Sequence, residues 1–381
     1  MGILRVLLAA IVVVHHIPGY FPGNPSFPFV LRRLDAMVCV LIFYIISGFY
    51  MSLVINEKYS KAPNFPGSFY ASRAMRIFPL YWIILVLFYA FDVGTEHLGN
   101  VGNIRGLSGF AWFAQVFMNV TTLGLDLVPS LGGYTFQLIG PAWSLGSELL
   151  FYLLAPWLVR LSWQRSVALV LMTFAIRLAL YHLGFDRYPL RVLFFPLSLG
   201  FFLLGHLAYL ILARIERTHW FASSTVKYLV GLLSLGAIMG SGFLLDVGGG
   251  IDPDTLNLWA FYLIIMLLIP TTFIGLRHSR ADRLLGDLSF PLYISHTLVL
   301  TFVAHYVIGS QQAQRIIALS LAILFSVLLT LAIEMPIERA RAAIGAWIMR
   351  RQQPRSSNDL VSGVSPDVNP DSQAAEAGAA Q

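Results

Sequence analysis

An all-α integral membrane protein with about ten transmembrane helices is the architecture that the sequence predicts. Three observations carry this expectation. Of the 381 residues, 57% are hydrophobic and only 12% are charged, where an ordinary soluble domain has roughly 25% charged residues to cover its surface. The apolar residues gather in runs about 20 residues long, enough to cross a hydrocarbon core of roughly 30 Å. The basic residues stand mainly in the short connections between these runs. Each run must be a helix, because lipid offers no partner to a free backbone N–H or C=O.

In chain order the expected spans are 3–20, 34–55, 77–93, 143–161, 166–183, 192–213, 227–246, 257–276, 289–308 and 316–335. Residues 1–14 have the look of a signal peptide. However, His15-His16-Ile17-Pro18 follows where small cleavage-site residues are expected, so the segment reads as an uncleaved first span. An even number of spans puts both termini on one side. Of the 25 Lys and Arg, 18 fall on that side, among them Lys58, Arg73, Arg76, Arg165, Arg217 and Arg283. The positive-inside rule makes both termini cytoplasmic. The long connection 94–142 then lies outside, and its aromatic stretch from Phe110 to Phe117 suits an interfacial helix. Residues 1–340 form the expected membrane domain. Residues 341–381 form a cytoplasmic tail, a surface helix followed by a disordered segment poor in large apolar residues.

Several function classes drop out. The net charge of +6 is spread over many connections rather than gathered into a nucleic-acid patch. With a single cysteine, Cys39, there is no intrachain disulfide and no Cys-based zinc site. His15 and His16 are adjacent, point to different helix faces and do not jointly ligate an ion; no metal is expected. No phosphate-binding glycine loop, dinucleotide fingerprint or serine nucleophile elbow is present.

What remains is a set of ionisable groups at membrane depth: Arg5, His16, Asp35, Glu148, Arg177, His206, His296, His305 and Glu334. Each costs on the order of 3 kcal/mol at a helix centre, so each is a functional candidate. His16 lies eleven residues beyond Arg5, about 16 Å further along a helix. Glu148 falls within two turns of the start of its own span, at the depth expected for His16. Such a pair serves either as a general base with its orienting carboxylate or as a staple between helices. Arg73 and Arg76 share a helix face at i and i+3. They anchor the helix at the head groups or form a guanidinium fork for a phosphate. Ser47-Gly48-Phe49 places a small residue where helices can approach closely.

Taken in order, these segments resemble the acyltransferase-3 family of membrane acyltransferases. Arg5 and His16 match its basic-x10-His pattern. Phe43-Tyr44-Ile45-Ile46-Ser47-Gly48-Phe49 is similar to its FFxxSGF segment. Arg73-x-x-Arg76-Ile77-Phe78-Pro79-x-Tyr81-Trp82 matches RxxRIxPxYW, and Trp143-Ser144-Leu145 through Glu148 to Phe151-Tyr152 resembles WSLxxExxFY. Leu292-Tyr293-Ile294-Ser295-His296 and Glu334-Met335-Pro336 resemble the closing LYxxH and ExP elements. Leu41 and Leu149 stand where many members carry acidic residues, so neither position receives a role.

The resemblance implies transfer of an acyl group, commonly acetyl, from cytoplasmic acyl-CoA to a hydroxyl of an extracytoplasmic glycan such as exopolysaccharide or O-antigen, in a bacterial inner membrane. It implies catalysis by His16 with Glu148, by direct transfer or through acyl-His16, and donor binding by Arg5, Arg73, Arg76, Tyr81, Ser47 and His296. A lipid, peptide or secreted metabolite as acceptor stays open. So does a proton-coupled transporter, although no internal repeat supports one.

Overall fold

The computed structural model describes residues 1–23, 34–60, 64–95, 99–217, 223–245 and 252–341. Its secondary structure is helical, with no strand among the described residues. The helices are α1 (Gly2–Tyr20), α2 (Ala36–Val54), α3 (Gly67–Gly94), α4 (Gly99–Arg105), α5 (Gly109–Thr121), α6 (Leu127–Ser130), α7 (Ala142–Leu158), α8 (Trp163–His182), α9 (Phe195–Arg217), α10 (Ser224–Leu244), α11 (Leu256–Leu276), α12 (Arg280–Tyr306) and α13 (Gln311–Leu329). Chain contacts group Met1–Pro336 into one compact unit. The remainder, Ile337–Gln381, is described only to Arg341, where it is helical; the expected tail lies outside the described residues.

Among the described residues, nine helices are long and apolar enough to cross a membrane. The tenth expected span is α7, which carries Glu148 and runs for only 17 residues. Two helices are longer than the hydropathy pattern suggests. α3 begins at Gly67, so Arg73 and Arg76 stand inside it rather than at its mouth. α12 begins at Arg280, where Ser279 caps it by accepting from the Asp282 amide. Asp35, expected among the ionisable groups at membrane depth, is the N-cap of α2 and accepts from the Met37 amide at 2.8 Å. Capping satisfies a backbone donor that lipid leaves unpaired.

α2, α9 and α12 are the most enclosed helices, while α3, α8, α10 and α13 turn much of their surface outward. The outward side chains include Val86, Leu171, Leu233 and Leu324, apolar groups suited to lipid. α2 and α9 approach closely because Gly48 has no side chain: a Cβ there would overlap the Phe202 carbonyl oxygen. α1 packs against α12 in the same way, with Gly2 seated on the Asp282 carbonyl and Gly286. From that contact α1 runs on to His16 and α12 to His296, fourteen residues beyond Gly2 and Asp282 respectively, so the two histidines arrive at one level.

Candidate active site

His16 and His296 are in ring contact, with centroids 5.0 Å apart and planes tilted by 50°. Each ring is tethered to its own helix. His16 Nδ1 lies 2.8 Å from the Val12 carbonyl oxygen, and His296 Nδ1 lies 2.7 Å from that of Tyr293. A carbonyl only accepts, so Nδ1 carries a hydrogen in both rings, and in the neutral form Nε2 keeps its lone pair. A neutral imidazole in that tautomer offers Nε2 as a proton acceptor. His296 is fully buried, and its Nε2 has no hydrogen-bond partner.

The expected pairing of His16 with Glu148 is not what the structure forms. The Glu148 carboxylate accepts from Ser47 Oγ at 2.7 Å and from the Tyr152 phenol. Glu148 and Tyr152 stand at i and i+4, on one face of α7, and that face meets α2. The carboxylate is an electrostatic neighbour of Arg5. The orienting group on His16 is its own Val12 carbonyl.

Further basic residues gather near Arg5. Arg5 is half-buried and has Arg76, Tyr50, Glu148 and Tyr152 as electrostatic neighbours. Arg73 is buried, interacts electrostatically with Tyr152 and stands 6.0 Å from the Phe69 ring centroid. Arg5, Arg73 and Arg76, from α1 and α3, thus share a neighbourhood with Tyr50, Glu148 and Tyr152. Guanidinium groups match phosphate geometry bidentately.

Tyr81 does not join that cluster. Its phenol donates to the Asn119 carbonyl at 2.5 Å, while Trp82 Nε1 donates to the Val120 carbonyl at 2.9 Å. Both bonds hold the end of α5. Gln115 and Asn119, one turn apart on α5, in turn bond the extended chain around Phe136. Phe136 N donates to Gln115 Oε1 and Leu138 N to Asn119 Oδ1, each at 2.9 Å. Phe110, Phe113 and Phe117 of α5 stay exposed. The connection then enters α7, where Ser144 Oγ meets the Tyr293 hydroxyl at 2.7 Å and Ser147 Oγ donates to Asp126 at 2.7 Å. Asp126 is fully buried, and burial raises its carboxyl above the usual range. In the sequence it lies in the connection between apolar runs, next to no motif.

The other ionisable groups have structural partners. Arg177 of α8 donates through Nε to Asp254 at 2.6 Å and through Nη1 to the Arg191 carbonyl at 2.6 Å. Arg191 closes the set on Asp254 at 2.5 Å and Asp252 at 2.6 Å. His206 lies between Ser52 Oγ at 3.0 Å and the Leu161 carbonyl at 3.2 Å. His305 packs edge-on against Phe91. Among the described residues no group of three His, Cys, Asp or Glu is placed to hold a metal ion.

The model of the acyltransferase domain of the acyltransferase-3 type matches residues 1–335. Protein 2 in the picA locus of Rhizobium radiobacter is 29% identical over 167 residues, 42% of this chain and 82% of that protein. Nodulation protein 10 of Rhizobium leguminosarum bv. viciae is 26% identical over 181 residues, 46% of this chain; the match spans 48% of that protein's length. No solved structure matches the chain significantly. With nearly all of its helical unit covered by one family model, and with the histidines and arginines of the family's motifs gathered around α1, the chain is a multi-pass membrane enzyme of the acyltransferase-3 family.

Proposed function

We propose that this acyltransferase moves an acyl group, acetyl foremost, from cytoplasmic acyl-CoA to a hydroxyl of an extracytoplasmic glycan. The observation that carries the reading is the distribution of chemistry along α1. One end holds Arg5 with Arg76 near it, and the other holds His16, whose Nδ1 is engaged by the Val12 carbonyl so that Nε2 is the nitrogen left for chemistry. Their eleven-residue spacing, about 16 Å along a helix, suits a donor with phosphates at one end of an extended arm and a thioester at the other. A signal from the charge distribution fits as well: both termini and the arginine cluster lie on the positive, cytoplasmic side of a bacterial inner membrane.

In this mechanism Arg73, Arg76 and Arg5 hold the donor phosphates. Glu148, bonded by Ser47 and Tyr152, offsets part of their charge. At the far end His16 Nε2 removes the acceptor hydroxyl proton as the oxygen attacks the thioester carbonyl. The C–S bond breaks, and the proton passes from His16 to the departing thiolate. Val12 keeps the ring in the tautomer this step requires. Direct transfer of this kind needs no enzyme nucleophile. The glycan as acceptor class follows from the family resemblance, since neither relative's name states a substrate.

Membranes carrying the chain, given labelled acetyl-CoA, test the reading. Label is expected in envelope glycan with the parent and not with a folded His16→Ala variant. Label in lipid or peptide alone moves the acceptor to another class, and full transfer by His16→Ala removes His16 as the base.

A further inference from the structure

The proposed reaction uses one imidazole, yet the structure holds two at the same level. His296 is fully buried, its Nδ1 is occupied by the Tyr293 carbonyl, and its Nε2 has no partner although the ring touches that of His16. Buried polar atoms are nearly always paired. This one is a lone-pair acceptor beside the group that deprotonates the acceptor. A ligand reaching His16 therefore meets a second nitrogen that needs a hydrogen-bond donor.

We infer that His296 reads a second hydroxyl of the acceptor, so that the substrate is a vicinal diol: one hydroxyl is acylated at His16 and its neighbour donates to His296 Nε2. This deepens the acyl-transfer reading and rests on it. The donor supplies a poorer partner. Its thioester carbon must sit at His16 to be attacked, and its arm, with the amide N–H groups, then runs back along α1 towards Arg5. His296 stands level with His16 and not below it, because α1 and α12 are in register from the contact of Gly2 with Asp282 and Gly286.

The chemistry balances without a further reactant. The first hydroxyl loses its proton to His16 as its oxygen bonds the acyl carbon, and that proton leaves on the thiol. The second hydroxyl keeps its proton throughout and only donates a hydrogen bond. Discrimination follows from the same bond. A site with a buried acceptor rejects a substrate lacking the matching donor, because the acceptor is then desolvated and unpaired.

The test is the position of the acyl group on the glycan labelled by the parent, mapped by NMR, together with the kinetics of His296 variants in the same membranes. The acyl group is expected on a secondary hydroxyl whose neighbour on the next carbon is free. His296→Ala is expected to lower transfer roughly 10- to 100-fold with the donor KM unchanged. His296→Gln, whose amide oxygen accepts, is expected to recover part of the loss. An acyl group on a hydroxyl without a free neighbour overturns the inference, as does parental transfer by His296→Ala or a loss that appears in the donor KM. If neither variant folds, the mapped position decides alone. Absence of label from all glycan takes down the glycan reading and this inference together, whereas labelled glycan without the diol relationship takes down the inference only.

Discussion

Ser47 of α2 donates a 2.7 Å hydrogen bond to Glu148 of α7, joining the serine of one motif to the carboxylate of another about a hundred residues away. With the Tyr152 phenol on the same oxygen, this bond commits Glu148 to the arginine end of the site. In the proposed mechanism the carboxylate acts on the charge of Arg5 and not on the basicity of His16.

Glu148→Gln separates these roles. The amide oxygen still accepts from Ser47 and Tyr152, so folding is retained, while the negative charge beside Arg5 is lost. The donor KM is expected to change, and the acidic limb of the kcat/KM profile against pH is expected to stay in place. A displaced limb with an unchanged donor KM would return Glu148 to the role of orienting His16.

Arg73→Ala and Arg76→Ala should each raise the donor KM by roughly 10-fold, the scale of one charge-assisted hydrogen bond. The loss is expected to be smaller with a thioester of dephospho-CoA, which lacks one phosphate. Equal losses with both donors would place these arginines away from that phosphate.

Tyr81→Phe should leave the donor KM alone and lower stability by about 1 kcal/mol, the usual net worth of one hydrogen bond. The phenol is engaged by the Asn119 carbonyl, so its removal loosens α5 rather than the donor site. Thermal unfolding in detergent reads the first effect and donor titration the second; a tenfold rise in donor KM would put Tyr81 back among the donor ligands.

Asp252 gives the pH dependence. Burial pushes its carboxyl upward, but the hydrogen bonds from Arg191 and the Asp254 amide outweigh this and hold it below the usual range. A carboxyl depressed on folding contributes stability above its unfolded pKa of about 3.9 and loses it as pH falls through the lower folded value. Asp252→Asn is thus expected to lower the melting temperature at neutral pH, with the gap to the parent closing below about pH 4. A gap that is constant with pH would mean the network acts through packing alone.

How much of this was readable in the sequence depends on the range of the contacts. The helices and the family were legible because apolar runs and short motifs are local. So was the position of Arg5 and His16 on one helix, fixed by the helical rise. The partner of His16 was not: α1 and α12 are joined by contacts between residues some 280 apart, which no local pattern records. Depth alone pairs Glu148 with His16 and does not report which groups the carboxylate bonds, Ser47 and Tyr152. Its direction is set by the face it shares with Tyr152. The Arg177 partner, Asp254, and the buried Asp126 lie in connections, where hydropathy carries no signal. Tyr81 shows the converse, a motif residue whose hydroxyl serves the fold.

The claim that donor and acceptor meet from opposite faces is tested most directly in sealed vesicles of one orientation. Labelled acetyl-CoA is supplied only to the face carrying the termini and the glycan acceptor only to the other. Transfer under this arrangement, with none when the two faces are exchanged, is the expected result. Transfer only when both substrates share one face would contradict a site that runs through the bilayer from Arg5 to His16.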